Sequence, residues 1–235
     1  MRPPSKGWVY VRISAVANGE ILVSTRQHHN SRVPTRVNLR FGRRAPLTDR
    51  LFLDLCSANP ELRLERTATG ELIAMTPASS EAGGRNAKLT YQLINWVITS
   101  GMGHGFDSSA GFTLPNGAIR SPDASWISND RWDALTPSER AGFARICPDF
   151  VVELRSTTDR LRDLRIKMRE YRANGARLGW LIDPVRKVVE IYRPPHLDAV
   201  TKLPQRGVEV LTAPTTLSGE DVLPGFVLDL NDILT

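Results

Sequence analysis

The sequence predicts a domain of the α/β (α+β) class, and three consecutive stretches predict it. Residues 149–155 alternate like a central strand, with Phe150, Val152 and Leu154 on one face and Asp149, Val151, Glu153 and Arg155 on the other. A basic segment follows in which Leu161, Leu164, Met168 and Tyr171 recur at helical spacing. Residues 178–183 then form a second apolar, strand-like run that stops at Pro184.

The other elements follow in chain order. Residues 8–24 predict a hairpin turning at Asn18-Gly19. The polar, Arg-rich stretch 25–44 lacks periodicity and reads as a loop or disordered segment. It contains His28-His29, but adjacent side chains in an irregular segment rarely converge on one ion. A boundary near Pro46 divides a basic extension (1–47) from the main domain (48–235). Thr48 caps a short helix over 48–58, which Asn59-Pro60 stops. Residues 62–66 and 71–75 read as a hairpin turning at Thr69-Gly70. Ser79 or Ser80 caps a helix opening at Glu81, with Leu89, Leu93 and Trp96-Val97 as its stripe and Gly101 and Gly103 at its end. Short strands are expected at 104–107, 111–114 and 119–127, with a turn at Pro115-Asn116-Gly117. A polar helical segment spans 130–141, with Pro137 as a helix start. Thr158 is expected to cap the basic helix, and Asn174-Gly175 closes it. A hairpin return at 188–193, a strand at 208–211 and an apolar tail at 222–234 complete the chain.

Composition narrows the function. An apolar content of 41% and a charged content of 24% over 235 residues are ordinary for a globular protein. No apolar run approaches the roughly 20 residues that span a bilayer, and no apolar signal core follows the first six residues. A cytoplasmic protein without a membrane partner is expected. Cys56 and Cys147 are too few and too far apart for a disulfide framework or a zinc site. The net charge is +6, but residues 1–50 hold ten basic and two acidic groups, so the remainder is slightly acidic. That basic arm is either a solvated tail or a contact to nucleic-acid phosphates.

Asp123, after a proline, Glu153, on a central strand, and Lys167, one helix later, suit one chemistry. A hard divalent cation takes carboxylate and carbonyl oxygens, here Asp123, Glu153 and the backbone carbonyl of Leu154. Such an ion acidifies a water and offsets charge building on a phosphate, while a lysine positions the water or the phosphate. A buried carboxylate at Glu153 needs a partner in any case, and a metal or a lysine serves. Each group also has a plain structural use: Asp123 as a turn or cap aspartate, Glu153 as the partner of Arg155 or another base, Lys167 as a surface lysine.

From about Leu51 onward the chain resembles the Uma-two family of restriction-endonuclease-like proteins, within the PD-(D/E)XK nuclease superfamily. The resemblance is carried by residues 70–77 (GELIAMTP), Ser121-Pro122-Asp123, residues 148–156 (PDFVVELRS), Lys167 with Tyr171, residues 180–184 (WLIDP), and residues 217–226. It implies a restriction-endonuclease-like mixed β-sheet flanked by helices. It also implies Asp123 and Glu153 as ligands of Mg²⁺ or Mn²⁺, and Lys167 as the basic partner. The superfamily's usual lysine stands two residues after the glutamate, where this chain has Arg155, so the lysine comes from the following helix. An early acid often joins the site: Glu81 is the candidate, with Glu71 and Glu65 as weaker alternatives and Asp107 approaching from a neighbouring strand. Ala82-Gly83-Gly84-Arg85 follows Glu81, so no histidine role carries over. The expected function is a metal-dependent endonuclease hydrolysing DNA phosphodiesters with water as nucleophile, acting as a homodimer where both strands are cut. The alternative is an inactive nuclease-fold module for DNA binding or dimerisation.

Overall fold

The computed structural model describes residues 47–60, 62–75, 78–195 and 207–234 in full. It describes the backbone alone of the strands Tyr10–Ala15, Ile21–Arg26, Arg36–Leu39, His196–Leu197 and Pro204–Gln205. Two compact units emerge: Met1–Leu64 with Gly70–Pro77, and Glu65–Thr69 with Ala78–Thr235.

In the first unit, Tyr10–Ala15 and Ile21–Arg26 pair antiparallel, as the hairpin pattern predicts. The Asn18-Gly19 turn, His28-His29 and Pro46 lie outside the described residues. The expectation that all of 25–44 is irregular is corrected: Arg36–Leu39 is a strand paired with Leu72–Met75. Its two-residue alternation, Val37 and Leu39 against Arg36 and Asn38, is too short to stand out among the arginines. Helix Asp49–Ala58 starts where expected, with Thr48 Oγ1 accepting from the Leu51 N–H at 3.3 Å.

The second unit is built on a six-stranded mixed sheet. Its strands are β1 (Gly103–Asp107), β2 (Ala124–Ser128), β3 (Phe150–Leu154), β4 (Leu178–Asp183), β5 (Val188–Tyr192) and β6 (Val208–Thr212). They lie in the order β6-β5-β4-β3-β2-β1. Only the junction between β3 and β4 is parallel; the other neighbours are antiparallel. A parallel junction needs a crossover, and the helix α2 (Leu161–Ala173) supplies it. The helix α1 (Ser80–Ser100) starts at Ser79, whose side chain accepts from the Ala82 N–H, and ends at Gly101, whose φ of 65° is the left-handed closure glycine permits.

The alternation read from residues 149–155 divides two cores. Phe150, Val152 and Leu154 join Leu89 and Leu93 of α1, Trp126, Trp180 and the buried tail residues Leu223, Phe226 and Leu228. Val151 faces the other way and packs with Leu164, Met168 and Tyr171 of α2. Glu153 shares the parity of Val151, so its side chain lies on the α2 side. Helix and sheet come close there because β4 carries Gly179: a Cβ at that position would stand 2.6 Å from Met168 Cε.

Three expectations are revised. Thr158 does not cap α2. Asp159 Oδ2 instead accepts from the Ser156 N–H at 2.8 Å and Ser156 Oγ at 2.7 Å, and this turn delays the helix to Leu161. The segment 130–141 is two short helices, Asn129–Asp133 and Pro137–Arg140, the second opened by a Thr136–Glu139 capping box that ends the first. The stretch 119–127 is two strands, Ile119–Arg120 and β2, because Pro122 interrupts the ladder between them.

Candidate active site

The site forms where β3 meets α2. Glu153 is a carboxylate inside a strand whose every residue is buried, and it is itself 3% exposed. Lys167 and Tyr171 are four apart on α2 and so project from one helix face. Lys167 Nζ lies 2.8 Å from Glu153 Oε1, and the Tyr171 hydroxyl donates to the same oxygen at 3.1 Å. Asp123 precedes β2. Its own N–H donates to the Val152 carbonyl at 2.9 Å, and its Oδ2 accepts from the Leu154 N–H at 2.8 Å. The main chain of β3 thus brackets the Asp123 carboxylate beside Glu153.

A third acid, Glu65, enters from the strand Arg63–Arg66 and is 2% exposed. Its Oε1 lies 2.6 Å from Lys167 Nζ and accepts from the Ser121 N–H at 3.1 Å. Its Oε2 lies 3.1 Å from Arg120 Nη1. Lys167 also donates to the Ser121 carbonyl at 3.2 Å. Glu65, Glu153 and Ser121 together take the three protons an ammonium offers.

The electrostatics follow from this crowding. Glu153 is pushed from the ordinary 4.5 up to about 7, first by burial. The Lys167 charge pulls it down, and the Asp123 and Glu65 charges push it up again. Burial, then the charges of Glu153 and Glu65, holds the Tyr171 hydroxyl well above its usual range, so it stays a donor. Burial works against the Arg120 charge, but Glu65 and Glu170 more than offset it.

The remaining sequence candidates stand elsewhere. Glu81 opens α1 on the surface with its side chain 70% exposed, paired with Arg85 at 2.7 Å. Asp107, at the end of β1, is exposed and accepts from the Ser109 N–H and hydroxyl. Arg155 does not serve Glu153: its Nη1 reaches both oxygens of Asp183, at 3.1 and 2.9 Å, on the neighbouring parallel strand. The early acid beside Lys167 is Glu65, one of the two weaker alternatives in the sequence. Arg120 and Glu170 went unread there. The available signal was an arginine between Ala118-Ile119 and Ser121-Pro122, in a run otherwise poor in charge.

The donor chemistry fits a hard divalent cation. Asp123 and Glu153 are close enough for one charge to raise the other's pKa. Among the described residues no three His, Cys, Asp or Glu side chains are grouped as ligands. A cation held here would take the two carboxylates and leave its other positions to backbone oxygen and water, a manner in which Mg²⁺ is commonly held. In the cluster around Lys167 and Arg120, among the described residues, Glu65, Asp123, Glu153 and Glu170 are acids and only those two residues are bases. A divalent cation offsets that excess.

A mixed sheet flanked by helices, with one parallel junction bridged by α2, is a nuclease-like fold of the restriction-endonuclease class. The chain belongs to the Uma2 family, described as "Putative restriction endonuclease", whose pattern matches residues 49–231. Among solved structures it is similar to one from Anabaena variabilis ATCC 29413, described as a putative nuclease. That protein is 20% identical, with a TM-score of 0.58 over 73% of this chain and 89% of the other, a likeness of fold. No curated protein matches the chain. No helix among the described residues is long and apolar enough to cross a membrane.

Proposed function

We propose that this chain is a divalent-metal-dependent endonuclease that hydrolyses DNA phosphodiester bonds with water as nucleophile. The observation that carries the reading is the placement of Lys167 Nζ 2.8 Å from Glu153, on the strand whose Leu154 N–H holds the Asp123 carboxylate at 2.8 Å. Asp123 and Glu153, with the Leu154 carbonyl, would hold Mg²⁺ or Mn²⁺. When bound, such an ion acidifies water and neutralises charge developing on a phosphate.

The chain's own residues do the rest. The Leu154 N–H fixes one Asp123 oxygen, so the other is oriented before any ligand arrives. Tyr171 and Lys167 fix Oε1 of Glu153 in the same way. Lys167 supplies a charge next to both acids that orients the attacking water or the scissile phosphate, exchanging one protein acceptor for the substrate. Cutting both strands takes two sites, which a homodimer provides. DNA affinity rests on arginines such as Arg160, Arg162 and Arg169 along α2, all of them partly or fully exposed.

One observation favours a second reading. All three Lys167 protons already have protein acceptors, an arrangement that also suits an inactive nuclease-fold module for DNA binding or dimerisation. Supercoiled-plasmid nicking with Mn²⁺ or Mg²⁺ separates the two. An endonuclease nicks with metal and loses nicking in Asp123→Ala and Glu153→Ala. A binding module retains DNA in chelator, nicks nothing, and is indifferent to Glu153→Ala.

A further inference from the structure

Behind Lys167 stands a buried chain of charges that the proposed reaction does not use. Arg120 is 5% exposed and spans two acids. Its Nε donates to Glu170 Oε2 at 2.6 Å, and its Nη1 reaches Glu65 Oε2 at 3.1 Å. Glu170 is itself held, its Oε1 accepting from Asn116 Nδ2 at 3.1 Å, while the Asn116 N–H donates to Asn174 Oδ1 at 2.9 Å. Glu65 then passes its other oxygen to Lys167 at 2.6 Å. Ser121, next in the chain after Arg120, gives its N–H to Glu65 and its carbonyl to Lys167.

We infer that Arg120 is a positioning residue, which orients the Glu65 carboxylate and through it pins the Lys167 ammonium between Glu65, Glu153 and the Ser121 carbonyl. The inference rests on the role given to Lys167 in the proposed function and assigns the groups that set it. A carboxylate with one oxygen on Arg120 and the other on Lys167 has a single orientation. Without the arginine Oε2 loses that hold, the carboxylate pivots about Oε1, and the ammonium shifts with it relative to Glu153. The task suits a planar fork: one guanidinium reaches Glu170 and Glu65 from different nitrogens, whereas an ammonium is a point charge. Glu170 is three residues after Lys167 on α2, so the fork ties Glu65 to the helix that carries the lysine.

The test couples kinetics with a probe that needs no turnover. In plasmid nicking with Mn²⁺, Arg120→Gln lowers kcat by roughly 10- to 100-fold, the scale of a catalytic group displaced by about an ångström, and leaves KM for DNA unchanged. In a Lys167→Ala background the same change lowers kcat no further, because the effect runs through Lys167. Arg120→Lys restores part of the loss. Glu170→Gln, at the far end of the fork, gives a smaller loss of the same kind, and it carries the test where Arg120→Gln does not fold. The second arm follows labelling of Lys167 by an amine-reactive reagent, read by mass spectrometry. Arg120→Gln raises the Lys167 rate several-fold and leaves exposed Lys88 unchanged. A brace that merely stabilises the fold would instead multiply the losses of Arg120→Gln and Lys167→Ala and leave labelling of Lys167 as in the wild type; either result overturns the inference. If the wild type nicks no DNA, the proposed function falls, and the labelling arm alone decides the role of Arg120.

Discussion

Two glutamates in the central sheet have the same kinds of partner and opposite electrostatics. Glu153 on β3 and Glu190 on β5 are both buried, at 3% and 4% exposure. Each accepts from a tyrosine hydroxyl, Tyr171 at 3.1 Å and Tyr192 at 2.8 Å. Each faces a base from α2, Lys167 and Arg165, two residues apart and so on opposite flanks of the helix. Arg165 Nε spans both oxygens of Glu190, at 2.8 and 3.1 Å. Burial works to raise the Glu190 pKa, but the hydrogen bonds from Arg165 and Tyr192 and the Arg165 and Arg186 charges more than offset it, and the group lies below the ordinary range. Glu153 is raised first by burial, its one base is opposed by two acids, and it rises to about 7. A buried acid matched by a bidentate arginine is complete in itself. A buried acid sharing one lysine with other carboxylates carries surplus negative charge, and surplus charge on fixed oxygens is what a cation site needs.

The widest separation comes from removing one acid at a time. Asp123→Ala or Glu153→Ala lowers metal-dependent nicking by about 10³-fold or more, read from plasmid conversion rates. Arg165→Ala leaves nicking intact but strands the buried Glu190 carboxylate, lowering stability by about 2–3 kcal/mol in urea unfolding. Loss of nicking in Arg165→Ala would erase the contrast between the two clusters.

Acid separates them by sign. Between 4.5 and about 7 the folded state holds a proton on Glu153 that the unfolded chain has released. In that window this group makes the metal-free protein more stable as pH falls. Glu190 contributes in the opposite direction: its depressed pKa stabilises above its ordinary value of 4.5, and that contribution is lost as pH falls through the lower folded value. Urea melts of Glu153→Gln from about pH 7.5 down to about 3 lack the wild-type gain on acidification above 4.5 and keep the loss at still lower pH. By the same proton, Mn²⁺ affinity measured by calorimetry rises up to about tenfold per pH unit below about 7 and levels off above it.

The smallest effect concerns the early acid. Glu81→Gln breaks a pair between exposed Glu81 and half-buried Arg85 and changes stability by under about 0.5 kcal/mol without altering nicking. Glu65→Gln, beside Lys167, lowers nicking markedly. The reverse pattern would return Glu81 to the site.

Much of this was legible from local pattern. The alternation of 149–155 predicted which residues of β3 face each core, and the three- and four-residue recurrence in 161–171 predicted the buried stripe of α2. Glu153 stood out because a carboxylate in such a strand demands a partner. Boundaries set by competing side chains were less legible. Thr158 is a sound cap by type, yet Asp159 bonds Ser156 and moves the helix start.

The sequence by itself determined most of the elements and their buried faces, and it singled out Asp123, Glu153 and Lys167 as candidates, because side-chain period and residue type act over a few positions along the chain. Only the tertiary structure decided which early acid reaches Lys167, that Arg155 turns to Asp183, and that Arg120 links Glu170 to Glu65. Those pairings join residues far apart in sequence, such as Glu65 and Lys167. They depend on strand order and on the close seat of α2 over Gly179, which no local period encodes.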